Sequence, residues 1–239
     1  MASPSLNPAA GQTANNSAAT ITSPTLTTTV TNCVIIAIIY SERTAVSVNT
    51  VASVTGGLSF TRLGGEMSQV SATAFVDVWW LGSASTFSDT IKATLNATPG
   101  NAVMHVFGVN GCASIVTPFD PNGGLPAVNT NTTGTAVVTY STTNSDDLII
   151  AAIINGSISL GTMTAPGIPT GFTSILSGVN AAGAGSMGDR SALLSVSAPQ
   201  SGASMSSTIV TFDTWSAIVF ALTADASVAK ETMMPMISM

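Results

Sequence analysis

A chain of 239 residues, 45% of them hydrophobic, has enough length and apolar content for a sizeable core, which excludes a disordered polypeptide. Only 7% of the residues are charged, against roughly a quarter in ordinary soluble domains, so the surface has to be built from Ser, Thr, Asn, Gly and Ala. The net charge is −6 and the cations Arg43, Arg62, Lys92, Arg190 and Lys230 stand singly, which leaves no basic patch for nucleic-acid phosphates or an anionic membrane surface.

The chain opens on a small, polar, Pro- and Gly-punctuated segment, residues 1–16, which reads as an N-terminal arm. It carries neither the basic nor the apolar region of a secretory signal, so synthesis in a cytoplasm is expected. Strand signals follow, separated by Gly, Pro, Asn and Ser clusters. The first set is expected near Ala18–Thr22, Val34–Tyr40, Thr50–Val54, Leu58–Leu63, Thr73–Leu81, Thr90–Leu95 and Ala102–Val109. The stretch Pro118–Thr135 reads as a long surface connection. A second set is expected near Ala136–Tyr140, Leu148–Ile154, Ile158–Met163, Phe172–Leu176, Ser191–Ser197, Thr208–Phe212 and Trp215–Thr223. No segment keeps a 3.6-residue apolar period, and β-branched residues are frequent throughout, which favours strands over helices.

The two sets match in order at a separation of about 115 residues. Val34-Ile35-Ile36-Ala37 answers to Leu148-Ile149-Ile150-Ala151, Leu58-Ser59-Phe60-Thr61 to Thr170-Gly171-Phe172-Thr173, and Thr90-Ile91-Lys92 to Thr208-Ile209-Val210. That period is too long for a solenoid. It predicts an all-β protein, either one jelly-roll-like sandwich over residues 17–227 made of half-repeats 17–117 and 135–225 or a small sandwich in each half. The single sandwich is favoured because the join Pro118–Thr135 carries little core of its own, and a Met-rich C-terminal arm, 228–239, follows.

Strand alternation assigns faces. Val76, Val78 and Trp80 share one side and read as core, while Asp77 marks the side with Phe75, Trp79 and Leu81 as outside it. Trp79 is thereby a candidate interface residue. Val34–Ile39 and Leu148–Ile154 are apolar on both faces, so a chain segment or another subunit has to cover the second face. Met233, Met234, Met236 and Ile237 complete the candidate interface set, because Met fills irregular apolar gaps on a neighbour.

Patterns that carry chemistry are sparse. His105, the one histidine, reads as a satisfied structural residue on the side of Val103 and Phe107. The run from Gly183 to Gly188 matches a dinucleotide-binding spacing by letter but is followed by a strand, so it reads as a loop. Asp120 and Asn122 sit among turn formers, and Asp146-Asp147 read as a solvated turn rather than catalytic carboxylates. Cys33 and Cys112 read as buried thiols. No catalytic, cofactor or metal site is expected.

The series Asp146–Ala152, Pro169-Thr170-Gly171-Phe172-Thr173 and Trp215–Leu222, with Val76–Trp80, Gly108-Val109-Asn110 and Pro118-Phe119-Asp120, resembles a group of β-sandwich modules of phage virion proteins and bacterial surface proteins. The likeness covers roughly Ser17–Ala224 and departs at Val54–Leu58, where the Pro-x-Gly turn is missing. It implies a non-enzymatic virion structural protein, in first place a capsid-surface decoration protein. The expected partners are other virion proteins, the major capsid protein first, and further copies of the chain, a trimer among the forms open. The alternative is a carbohydrate-binding or host-recognition module of a tail or fibre, for which Trp79 is one candidate aromatic, although aromatics at 5% of the chain argue against a multi-aromatic platform.

Overall fold

The computed structural model describes residues 3–15, 18–42, 48–64, 75–157, 163–182, 185–210 and 214–224. Every regular element among them is a β-strand. The first half contains Ser5–Asn15 (β1), Thr20–Thr22 (β2), Leu26–Thr27 (β3), Cys33–Ser41 (β4), Val48–Ser53 (β5), Thr61–Arg62 (β6), Phe75–Ser83 (β7), Ser88–Asp89 (β8), Ile91–Leu95 (β9) and Ala102–Asn110 (β10). The second contains Ala127–Asn131 (β11), Thr135–Tyr140 (β12), Leu148–Ser157 (β13), Thr173–Ala182 (β14), Gly185–Ser195 (β15), Ala203–Thr208 (β16) and Thr214–Leu222 (β17).

Each half builds a five-stranded antiparallel sheet, ordered β1-β10-β4-β7-β6 in the first and β11-β17-β13-β15-β14 in the second. The orders correspond strand for strand. So do the registers at the centre, where Ile36 stands between Phe107 and Trp80, and Ile150 between Phe220 and Leu193. Each half adds smaller sheets, β2-β9-β5 and β3-β8 in the first and β12-β16 in the second.

The central strands are buried along their whole length, on both faces. Two apolar clusters explain how. One joins the sheets of the first half to Leu148, Ile150, Ala152, Ile154 and Phe220 of the second. The other joins the alternate residues Ile149, Ala151, Ile153 and Val219 to Ala136, Val138 and Met205 of the β12-β16 sheet. The five-stranded sheets therefore stack face to face, and each has its outer face roofed by a smaller sheet, as sandwich packing requires. The covering expected over Val34–Ile39 and Leu148–Ile154 comes from within the chain.

Several expectations are corrected. Residues 5–15 of the expected arm are an edge strand registered on β10 from Ser5↔Asn110 to Asn15↔Ala102. The connection Pro118–Thr135 contains β11, and its Phe119 bridges Leu222 and packs edge-on against Trp80 and Phe220, with ring centroids 5.3 and 6.0 Å away. The strand expected over Leu58–Leu63 shrinks to Thr61–Arg62, and the one expected over Thr208–Phe212 ends, rather than starts, at Thr208. Of the run from Gly183, Gly185–Gly188 open β15 instead of forming a loop, while Gly183 and Ala184 lie outside the described residues. The same holds for residues 158–162 of one expected strand and for the whole arm 228–239, including Met233, Met234, Met236 and Ile237.

Candidate functional site

Among the described residues, chemistry-bearing side chains gather in four places. The first surrounds Trp79, which is not on an outer surface. It is 8% exposed, because the three-stranded sheet roofs the face that Asp77 had marked as outside. The charge on Asp77 is tolerated there because β6 runs beside β7 and brings Arg62 to it. Arg62 donates to Asp77 Oδ2 through Nε at 3.0 Å and Nη2 at 2.7 Å, and Nη2 also donates to the Val48 carbonyl at 2.7 Å. Trp79 Nε1 donates to the same carboxylate oxygen at 2.9 Å, and the Arg62 guanidinium lies 5.0 Å from the Trp79 ring centroid. Burial still raises the Asp77 pKa, against the lowering effects of Trp79 and Arg62. Trp79 is thus part of a closed structural knot and offers no face to a sugar.

The second place lies between the two stacked sheets. His105 is fully buried. Its Nδ1 is 3.0 Å from Ser191 Oγ, and its Nε2 is 2.6 Å from Asp189 Oδ1. Tyr40 packs edge-on to the imidazole, with ring centroids 4.9 Å apart, and donates its hydroxyl to the Arg190 carbonyl at 3.0 Å. Burial raises the phenol pKa well above its usual value, with the Asp189 charge adding to it. A Ser, a His and an Asp are brought together, yet all three are at 0% exposure. Their arrangement pins one sheet to the other: β4 and β10 supply Tyr40 and His105, and β15 supplies Asp189, Arg190 and Ser191. The sequence offered His105 alone; its partners come from the other half and carry no local signal.

The third place ties the inter-half connection to the start of β13. Asp120 Oδ2 accepts the backbone N–H groups of Thr143 and Asn144, at 2.8 and 3.0 Å, and Asn144 Nδ2 at 3.0 Å. Its Oδ1 accepts the Asn122 N–H at 2.8 Å. Burial alone would raise the Asp120 pKa, but these donors outweigh it and hold it below the ordinary carboxylate value. Asp147 is 1% exposed, not solvated as its turn-like sequence implied. Neither of its oxygens receives a donor from the described residues. A carboxylate in that setting would be costly, whereas a protonated carboxyl can donate to Asp120. Consistently, burial first, then the hydrogen bond with Asp120 and the charges of Asp120 and Asp146, push Asp147 up to about 8. The donor set around Asp120 is made of N–H groups, which suits a shared proton and opposes a cation. Asn122 Oδ1 is likewise occupied, by the Gly124 N–H at 3.0 Å.

The fourth is open to solvent, a cleft of about 500 Å³ at one end of the first half, lined by residues 55, 56, 58 and 81–89. Asp89 sits in its wall and accepts the N–H groups of Thr55, Gly56 and Thr90. Burial opposes the ionised form there, but those donors prevail and lower its pKa to about 2. The hydroxyls nearby are engaged with neighbours, Ser83 Oγ with the Ser85 carbonyl and Ser88 Oγ with Thr27 Oγ1. The cleft therefore presents small polar groups, the backbone and the half-exposed Leu58.

Among the described residues no group of three or more His, Cys, Asp or Glu is placed to hold a metal ion, and no helix is long and apolar enough to cross a membrane. No protein-family model, curated protein or solved structure matches the chain.

Proposed function

We propose that the chain is a non-enzymatic structural protein of a bacteriophage particle, carried on the capsid surface as a decoration protein. One observation carries this reading: the titratable clusters are spent on holding the sheets and connections together inside the molecule. His105, Asp189, Asp77 and Asp147 are at most 1% exposed. With only 7% of its residues charged, the chain has little charge to put on its surface, which suits a fixed place in an assembly. The ordered series of sequence motifs supplies the phage context, and the matching strand orders support descent of the halves from one duplicated unit. The burial of Trp79 removes the aromatic that the glycan-binding alternative had offered as a candidate contact.

The test is a binding titration of the full chain against purified undecorated capsids, with and without residues 228–239. Saturable binding that is lost on deleting the arm supports the decoration reading and places the anchor in Met233–Ile237. Absence of binding at tens of micromolar chain refutes it.

A further inference from the structure

A five-stranded sheet has two edges, and an edge exposes backbone donors and acceptors that can template another strand. Three of the four edges of the large sheets are blunted. β6 has two residues. β1 carries Pro8 and a register shift between Leu6 and Ala10. β11 has five residues and leans on β12, where Asn129 Nδ2 donates to the Val137 carbonyl at 2.7 Å.

β14 is different. It has ten residues, without a proline or a charge. Its one irregularity lies near its start, between Ser174 and Leu176, so Leu176–Ala182 runs regularly against β15. No described strand lies on its other side. The register on β15 puts Ser177 and Val179 on the outer face, opposite Arg190 and Gly188. Val179 is 51% exposed there.

We propose that β14 is the self-association edge of this protein: it pairs antiparallel with β14 of a second copy about a two-fold axis near Val179, joining the two second-half sheets into one continuous sheet. The occupant is a second copy because the edge is its own complement. An antiparallel partner of the same sequence matches its length, meets no charge, and sets Val179 beside Val179 on the outer face. β14 itself carries no charge, and Arg190, the cation beside it on β15, is already engaged by Ser174 Oγ and the Pro166 carbonyl, so a charged strand gains no free counter-charge here. The axis is two-fold, which gives a dimer and not the trimer considered from sequence. Strand addition over so short a segment buries less than the roughly 1,200 Å² of stable complexes, so dissociation in the micromolar range is expected. The inference stands apart from the virion reading, since a dimer that binds no capsid leaves it intact.

Native mass of the purified full chain at tens of micromolar is expected to be that of a dimer. Val179→Lys, which sets like charges across the axis, is expected to be monomeric with unchanged circular dichroism and thermal midpoint. Val179→Cys is expected to form a covalent dimer on mild oxidation, because the native thiols are buried. A monomeric wild type, a trimer, an association indifferent to Val179→Lys, or a Val179→Cys chain that never cross-links would each overturn the proposal.

Discussion

Asp147→Asn tests the protonated state of the buried Asp147 carboxyl. In the folded chain Asp147 keeps its proton up to about pH 8, whereas in the unfolded chain it releases it near the ordinary 3.8. Between those limits the native state binds one proton more than the unfolded state, so stability falls as pH rises. The contribution of the protonated carboxyl is complete below about pH 4 and is lost through about pH 8. Each pH unit in that window costs about 1.4 kcal/mol, on the order of 3 kcal/mol from pH 5 to pH 7. An asparagine has the same shape and can donate its amide N–H to Asp120 at every pH, but it does not titrate. Asp120 is held below the window by its four N–H donors, so it contributes no slope there. Urea unfolding of wild type and variant at pH 5, 6 and 7 gives both stabilities, and their difference isolates position 147 from every other titration. The variant is expected to gain on the wild type by about 1 kcal/mol or more per pH unit. Two parallel pH profiles would refute the protonated state of Asp147.

Arg62→Ala removes the counter-charge and two donors from the fully buried side chain of Asp77, and is expected to cost about 3 kcal/mol in chemical unfolding. Phe220→Ala opens a cavity between the stacked sheets where Phe119 packs, and is expected to cost about 3–5 kcal/mol by the same measurement. A methyl at Gly82 would fall inside the Ile115 carbonyl, so Gly82→Ala is expected to cost at least ~1–3 kcal/mol and lower the thermal midpoint. Burial, with the Cys33 charge adding to it, pushes the Cys112 thiol up to about 12, and burial also raises Cys33. Neither thiol is expected to react with iodoacetamide at pH 8 in the native protein, and both are expected to react in denaturant, read by intact mass.

The sheet centres were legible because β4, β10, β13 and β17 are apolar runs dense in Val, Ile and Ala. β1 and β11 were not. Ser5–Asn15 and Ala127–Asn131 are polar sequences whose strand conformation comes from one neighbour, β10 or β17, rather than from their own pattern. Trp79 was placed on the wrong side for an instructive reason. A charged residue on a strand face normally means solvent, but Asp77 is satisfied by an arginine supplied from β6 across a stretch of chain that no periodicity connects to it. The same limit hid the Asp120–Asp147 and His105–Asp189 pairs, each joining residues from separate parts of the chain. What the pattern did contain was the demand that both faces of Val34–Ile39 be covered; it could not say by what.

The stacking of the two large sheets bears on how the chain is made. During synthesis the first half leaves the ribosome with Ile36, Ile38, Val78 and Phe107 facing a partner sheet that has not been translated. β1 cannot find its register until Asn110, more than a hundred residues later in the chain, is in place. A first half without the second would expose the apolar inner face of its large sheet, and pairing over so long a sequence separation favours slow folding.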